Sequence, residues 1–209
     1  HRHLYVFNAN GVITSSSNVL HEDNSSITVE DLGIEDETDA QDLRTTLLQW
    51  ARGVDVKDSD GDGDTTDIRL QMGDPIHSQP VIVNYSETDS AIFVATNHGM
   101  LHSIDAATGE ENFAIMPRSL LPNLHHFYQD ISTFEHKYGL DGDMGLRTVG
   151  NSTYLYLGMR RGGNNYYVFD VTQKTSPTLK FMIEGGTVGL EKLGQTWSRP
   201  TITKVRYGT

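Results

Sequence analysis

The chain has no cysteine, few basic residues and no long apolar run. Without cysteine it can form no disulfide, thiolate metal site or cysteine nucleophile. Its formal net charge of −12 argues against a nucleic-acid partner, because phosphate binding needs clustered lysine and arginine, and it favours cations instead. No stretch approaches the roughly 18 apolar residues of a membrane span, so none is predicted.

The apolar residues that are present, 36% of the chain, lie in short repeated runs with the character of strands. Three runs end in Asn or Asp and then turn, at 4–11, 101–109 and 166–172. A second repeat puts Ser-x-Pro before a β-branched run, at 77–83 and 197–203, as expected where a strand begins. We predict an all-β fold, a partial β-propeller with blades of four antiparallel strands, and a β-sandwich is the alternative.

The strand-like pattern is interrupted twice, which predicts how the chain is divided. The predicted parts are a partial blade strand at 1–12, an insertion at 13–71, and propeller blades at 72–209 with an inserted segment at about 118–140. Inside the first insertion, apolar residues at helical spacing predict a helix over about 39–52, with Asp39 as its N-cap. Both ends of the sequence lie within strand-like patterns, so we expect a segment of a longer protein.

Five carboxylates lie within residues 58–67, in the sequence Asp-Ser-Asp-Gly-Asp-Gly-Asp-Thr-Thr-Asp. The first three occupy positions one, three and five of an EF-hand-type loop, and Gly63 is the glycine expected at position six. Position twelve is Arg69 instead of a bidentate glutamate, so Asp67 at position ten would have to complete the shell. The predicted site is a shortened Ca²⁺ loop formed by Asp58, Asp60, Asp62, Asp64 and Asp67. The alternative is a solvated acidic linker.

Other candidate ligands have less specific spacing. His98 and His102 bracket a predicted hairpin and could reach one face, although histidines at such positions more often face solvent. A zinc site could use His125-His126 with Glu135-His136. Asp141-Gly-Asp143 could join a second ion site, although Asp-Gly is first a turn signal. The histidines form no set that predicts catalysis, so we do not expect an enzyme.

Several motifs occur in a distinctive order along the chain: 72–80 (MGDPIHSQP), 92–102 (IFVATNHGMLH), 105–110 (DAATGE), 118–124 (RSLLPNL), 141–142 (DG), 161–172 (RGGNNYYVFDVT) and 198–200 (SRP). Together they resemble the C-terminal propeller of the PilC/PilY proteins of type IV pili. The resemblance covers roughly residues 40–203, and the run Gly73–Ser78 is its most specific part.

The resemblance implies an exported bacterial protein at the cell surface, outer membrane or pilus tip. Such proteins take part in pilus biogenesis, in the retraction control that underlies twitching motility, and in adhesion. The implied partners are pilus subunits or minor pilins, with a host or surface receptor as a further candidate. The resemblance also implies a calcium loop at Asp58, Asp60, Asp62 and Asp67, although the family's usual loop ends one residue earlier, at Thr66.

One turn resembles a different class of protein. The Asp-Ala-x-Thr-Gly sequence at 105–109 is similar to turns in propeller quinoprotein dehydrogenases, which use pyrroloquinoline quinone with calcium. A fragment of such an enzyme is therefore the alternative function.

Overall fold

A computed structural model describes residues 2–7, 11–130 and 136–204. Two five-stranded sheets make up most of the regular structure. The strands are β1 (Leu4–Phe7), β2 (Gly11–Val12), β3 (Val81–Asn84), β4 (Ser90–Ala95), β5 (Leu101–Asp105), β6 (Glu111–Pro117), β7 (Met144–Val149), β8 (Ser152–Gly158), β9 (Tyr166–Asp170) and β10 (Thr178–Ile183). The helices are α1 (Ala40–Ala51) and α2 (Leu124–Gln129), with 3-10 segments at Ser16–Asn18, Arg118–Asn123 and Arg160–Gly162. The predicted all-β class is confirmed, and the two described sheets do not close into a barrel or a complete propeller.

The two sheets share one plan. The first has the order β1-β6-β5-β4-β3 and the second the order β2-β10-β9-β8-β7, so each contains four consecutive strands as an antiparallel meander. A strand from the N-terminal part of the chain is added to the last strand of each meander. In the first sheet β1 runs parallel to β6, with Leu4 opposite Ala114, and in the second β2 runs antiparallel to β10, with Val12 opposite Thr178.

Apolar side chains of both sheets meet in one hydrophobic cluster that also includes α1. Phe7, at the end of β1, packs edge-on against two aromatic rings of β9 in the second sheet. Its ring centroid lies 5.5 Å from that of Tyr167 and 5.3 Å from that of Phe169. Edge-to-face pairs of this kind stabilise beyond the area that they bury. The first strand of the chain therefore helps to hold the two sheets together.

Two polar contacts also connect the sheets. Lys174, between β9 and β10, pairs with Asp89 and with Asp105 of the first sheet, at 2.6 Å from Asp105 Oδ2. His77 Nδ1, just before β3, lies 2.9 Å from both carboxylate oxygens of Asp141, which precedes β7 and is buried. Each contact joins residues more than 60 positions apart in the sequence.

The N-terminus of helix α1 lacks the side-chain cap that the sequence predicts. Asp39 occupies the predicted N-cap position, but its φ of 59° is left-handed and its side chain makes no capping hydrogen bond, so the expected side-chain cap is wrong. An N-cap residue normally has an extended backbone, from which its side chain can reach the first free N–H groups of the helix. Arg44 anchors α1 instead, because its guanidinium donates hydrogen bonds to the carbonyls of Glu22, Asn24 and Ile27.

The second Ser-x-Pro copy does not form the strand that the repeat predicts. In the first copy β3 pairs with β4, with Val81 opposite Phe93, whereas no described strand pairs with residues 201–204. This segment lies beside β7 and accepts one hydrogen bond from a side chain, Arg147 Nη1 to Ile202 O at 3.1 Å. The local sequence favours an extended backbone, but a strand also needs a neighbour for its ladder.

Candidate metal site

The acidic loop is closed at its base by a short antiparallel contact. Val54 and Ile68 form a β-bridge, and on either side of it Asp55 N–H donates to Asp67 O at 3.1 Å and Arg69 N–H to Gly53 O at 2.8 Å. Because Gly53 follows α1 almost directly, the end of this helix and the end of the loop are held side by side. A change in the loop can thus be transmitted to α1.

The first three aspartates of the loop converge. One carboxylate oxygen each from Asp58, Asp60 and Asp62 lies within 4.8 Å of the other two. The turn that brings them together uses left-handed backbone at Gly61, with φ 77°, and Gly63, with φ 88°, a region that glycine enters without steric cost. Asp58 Oδ1 accepts a hydrogen bond from Gly63 N–H at 3.0 Å, which folds position six back onto position one.

The remaining two predicted ligands are arranged differently. Asp64 Oδ1 accepts hydrogen bonds from Thr66 N–H at 2.8 Å and from Thr66 Oγ1 at 2.6 Å, and these bonds lower the pKa of the Asp64 carboxyl. Asp67 Oδ1 is buried without a hydrogen-bond partner among the described residues. Desolvation, and then the charges of nearby aspartates including Asp60 and Asp62, raise the pKa of Asp67.

These features match what an oxygen-ligated cation requires. Three carboxylates converge in an open loop, and a fourth carboxylate nearby has a buried oxygen that no described donor satisfies. Like charges held this closely repel, and a bound cation would turn that repulsion into attraction. Carboxylate and carbonyl oxygens are the ligands that Ca²⁺ takes, six to eight at a time, in flexible geometry. The residues present therefore fit Ca²⁺.

Asp55 supports the loop and was missed in the analysis of the sequence. It is buried, and its carboxylate accepts hydrogen bonds from Ser59 N–H at 2.8 Å and Ser59 Oγ at 2.7 Å. The Ser59 hydroxyl bond is the main cause of the lowered pKa of Asp55. A signal was available, because an aspartate followed four residues later by serine can close a local side-chain turn.

The other candidate ligands do not assemble into a site. His102 is buried and its Nδ1 lies 2.6 Å from Glu111 Oε2, whereas His98 stacks on Phe127. Within residues 2–7, 11–130 and 136–204, the three loop aspartates are the one group of three or more His, Cys, Asp or Glu residues that could hold a metal. The predicted zinc set of His125, His126 and His136 is thus not brought together, and its fourth member, Glu135, lies outside the described residues. Asp141 pairs with His77, and Asp143 Oδ1 is buried without a described partner.

The described part of the chain is thus a two-sheet, mostly β protein that carries an EF-hand-like acidic loop. None of its described helices has the length and apolar character needed to cross a membrane. No protein-family model matches the chain.

Two curated relatives are similar to the chain over 66% of its length. They are the type IV pilus biogenesis factor PilY1 homolog of Xylella fastidiosa, 27% identical over 167 residues, and the type IV pilus biogenesis factor PilY1 of Pseudomonas aeruginosa, 23% identical over 173 residues. The resemblance to the PilC/PilY family is therefore confirmed over about two thirds of the chain. The matches span 13% and 14% of the length of these relatives.

A solved structure is also similar in sequence. The crystal structure of the Pseudomonas aeruginosa PilY1 C-terminal domain is 26% identical, over 56% of this chain and 23% of that chain, with a TM-score of 0.39.

Proposed function

We propose that this chain is a calcium-binding segment of a type IV pilus-associated surface protein, which acts by binding and conformational control. The calcium proposal rests on the convergence of Asp58, Asp60 and Asp62 in a loop with EF-hand spacing. The pilus association rests on the two relatives that are named type IV pilus biogenesis factors. Those names also favour a binding function over the quinoprotein alternative.

The five loop aspartates would hold the ion in different ways. Asp58, Asp60 and Asp62 would contribute carboxylate oxygens. Asp64 would contribute its backbone carbonyl, the group expected at position seven, while its carboxylate Oδ1 accepts two hydrogen bonds from Thr66. Asp67 would complete the shell with the oxygen that has no described partner. The bound ion would supply positive charge that neutralises the cluster.

Calcium would stabilise the loop and, through the loop, α1. A ligand that binds the folded chain alone adds RT ln(1 + [Ca²⁺]/Kd), which is about 2.7 kcal/mol at a hundredfold excess over Kd. The Val54–Ile68 bridge connects the ordered loop to the end of α1. Occupancy would thereby change the surface that is offered to pilus subunits, minor pilins or a receptor, and with it pilus biogenesis, retraction and adhesion.

The two sheets are proposed to be neighbouring blades of a β-propeller. Each contains four consecutive antiparallel strands, the plan of a propeller blade. The first strands of the two meanders, β3 and β7, contact each other, as the innermost strands of adjacent blades would. The division into 1–12, 13–71 and 72–209 remains part of this proposal, as does a location at the cell surface, outer membrane or pilus tip.

Calorimetric titration tests the metal site directly. Calcium, and magnesium as a comparison, would be added to chelator-treated protein and to the variants Asp58→Asn, Asp62→Asn and Asp36→Asn. Asp36 is an exposed acid outside the loop, so its variant controls for the loss of one charge. We expect saturable, calcium-selective binding that both loop variants weaken by at least about tenfold and the control retains, because each loop variant loses a charged ligand.

Trypsin cleavage after the exposed Lys57 provides a second readout. Calcium should slow cleavage at this bond in the wild type and in Asp36→Asn, but not in Asp62→Asn, because bound calcium would order the loop next to the bond. Folded protein that shows neither calcium binding nor calcium-dependent protection would refute the metal proposal. The pilus association is tested separately, by twitching of cells from which the gene for the full-length protein has been deleted, and unchanged twitching would refute it.

A further inference from the structure

A cavity of about 550 Å³ lies between the end of α1, the turn after β4 and α2, a volume typical of small-molecule sites. We call it the His98 cavity. Its lining includes Trp50, Lys57, Arg69, Asp74, His98 and Tyr128. None of the predicted calcium ligands lines it, although Lys57 and Ser59 of the neighbouring loop form part of its wall, as do His126 and His136 of the zinc set that does not assemble.

His98 is fixed in position on the wall of this cavity. Its ring centroid lies 5.4 Å from that of Trp50 and 5.4 Å from that of Phe127, nearly parallel to the latter. The backbone of Gly73 passes so close behind it that a Cβ atom at residue 73 would lie 2.7 Å from His98 Cγ. A side chain held this tightly has little rotamer freedom left to lose when a ligand binds.

The ring nitrogens of His98 are available for a ligand. No hydrogen bond joins them to another described side chain or backbone group, although the ring is largely buried. Burial lowers the pKa of His98 to about 4, so the imidazole is neutral near pH 7. A neutral imidazole offers one N–H donor and one nitrogen acceptor, a combination that suits a hydroxyl group, which also both donates and accepts.

The nearest cations of the cavity are partly satisfied by protein groups. Lys57 bonds to the Tyr128 carbonyl and places its Nζ 4.3 Å from the centre of the Tyr128 ring. Arg69 stacks at 4.4 Å over Trp50 and donates to the Trp50 carbonyl and to Gln71. The carboxylates of Asp74 and Asp130 on the same wall would repel a ligand carboxylate or phosphate. A cationic ligand would in turn meet the positive charges of Lys57, Arg69 and Lys137, which all line the cavity.

We propose that the His98 cavity binds a neutral, hydroxyl-rich ligand of the saccharide class. Ligand hydroxyls would hydrogen-bond to the His98 ring nitrogens and to the carboxylates of Asp74 and Asp130, while the C–H faces of the sugar would pack against the aromatic wall. This inference does not depend on calcium, because no predicted calcium ligand lines the cavity.

Saccharide binding can be measured by saturation-transfer NMR and calorimetry. The probes are methyl mannoside, methyl galactoside and N-acetylglucosamine, with glucuronate and glucosamine as charged comparisons, each in calcium-containing buffer and again after chelation. His98→Phe keeps an aromatic ring against Trp50 and Phe127 but removes both nitrogens. His21→Phe makes the same change outside the cavity and is the matched control.

We expect at least one neutral sugar to bind saturably, with affinity reduced about tenfold in His98→Phe and unchanged in His21→Phe, since one or more hydrogen bonds are lost. If His98→Phe does not fold, Asp74→Asn provides the same test, because it removes a charged acceptor and keeps the side-chain shape. The proposal is overturned if folded wild type binds no neutral sugar, if a charged sugar binds more tightly, or if neither cavity variant changes the affinity. Binding with and without calcium supports the inference even where the metal proposal fails.

Discussion

Replacing Arg44 by methionine should destabilise the chain more than any change at a surface arginine. Arg44 is buried on α1 and donates three hydrogen bonds, at 2.6 Å to Ile27 O, 3.0 Å to Glu22 O and 2.8 Å to Asn24 O. Arg44→Met keeps most of the apolar stem and removes all three donors. The carbonyls that it satisfies belong to an irregular segment, residues 22–27, which lies beside the helix.

The expected magnitude follows from the burial of each bond. A hydrogen bond from a charged donor contributes about 1.5–3 kcal/mol, and the Ile27 bond, which is fully buried, should be lost in full. Water can partly replace the two half-buried bonds, and the variant no longer buries a charge, so we expect a net loss of about 2–4 kcal/mol in the free energy of unfolding. For a chain of this size, that lowers Tm by roughly 4–16 °C.

Urea denaturation and calorimetry of Arg44→Met and Arg199→Met would measure the difference. Arg199 is exposed and makes no side-chain hydrogen bond to a described residue, so its variant should lie within about 0.5 kcal/mol of the wild type. Hydrogen exchange should also become faster in residues 22–27. If Arg44→Met were as stable as Arg199→Met, the inference that this side chain anchors the segment would be wrong.

Two further changes test the contacts between the sheets. Phe7→Ala should lower the free energy of unfolding by about 3–5 kcal/mol, because it leaves a cavity against Tyr167 and Phe169, whereas Phe7→Leu should cost less; equal stability of both variants to the wild type in urea would contradict the packing. Lys174→Met should flatten the pH dependence of stability at both extremes. The pKa of Asp105 is lowered from 3.8, mainly by the Lys174 hydrogen bond, so its contribution is present above that pH and is lost as pH falls towards the folded value. The pKa of Lys174 is raised from 10.5, mainly by Asp105, so its contribution is present below that pH and is lost as pH rises through the folded value. Thermal melts from pH 2 to 11 would measure this, with Lys180→Met as an exposed control, and parallel curves for wild type and Lys174→Met would contradict the ion pair.

Patterns of neighbouring residues were sufficient to predict the elements whose formation depends on nearby residues. The runs of β-branched and aromatic residues correspond to strands such as β4, β5 and β9, because such side chains pack well on the pleated surface of a sheet. The spacing of Leu43, Leu47 and Leu48 likewise corresponds to α1. The convergence of Asp58, Asp60 and Asp62 follows from a short loop with glycine at the turn, which needs no distant residue.

Distant contacts could not be predicted in the same way. No pattern in residues 4–12 indicates that β1 joins one sheet in parallel and β2 joins the other, because the partners lie more than 100 residues away. The left-handed backbone at Asp39 and the choice of Arg44 as the anchor depend on how the preceding segment packs. The Asp64 carboxylate accepts a hydrogen bond from Thr66 N–H. The position of Asp64 in the loop does not by itself reveal that its side chain makes this local bond.

The sequence by itself determined the β-rich class, the helix and the acidic loop, because periodicity, glycine and carboxylate spacing act over a few residues. Tertiary structure alone decided which strands pair, that residues 201–204 form no strand, and that His98 lines a cavity between Trp50 and Phe127. These outcomes depend on ladder partners and packing neighbours supplied from elsewhere in the chain, and a backbone hydrogen bond or a stacked ring exists only when both members are present.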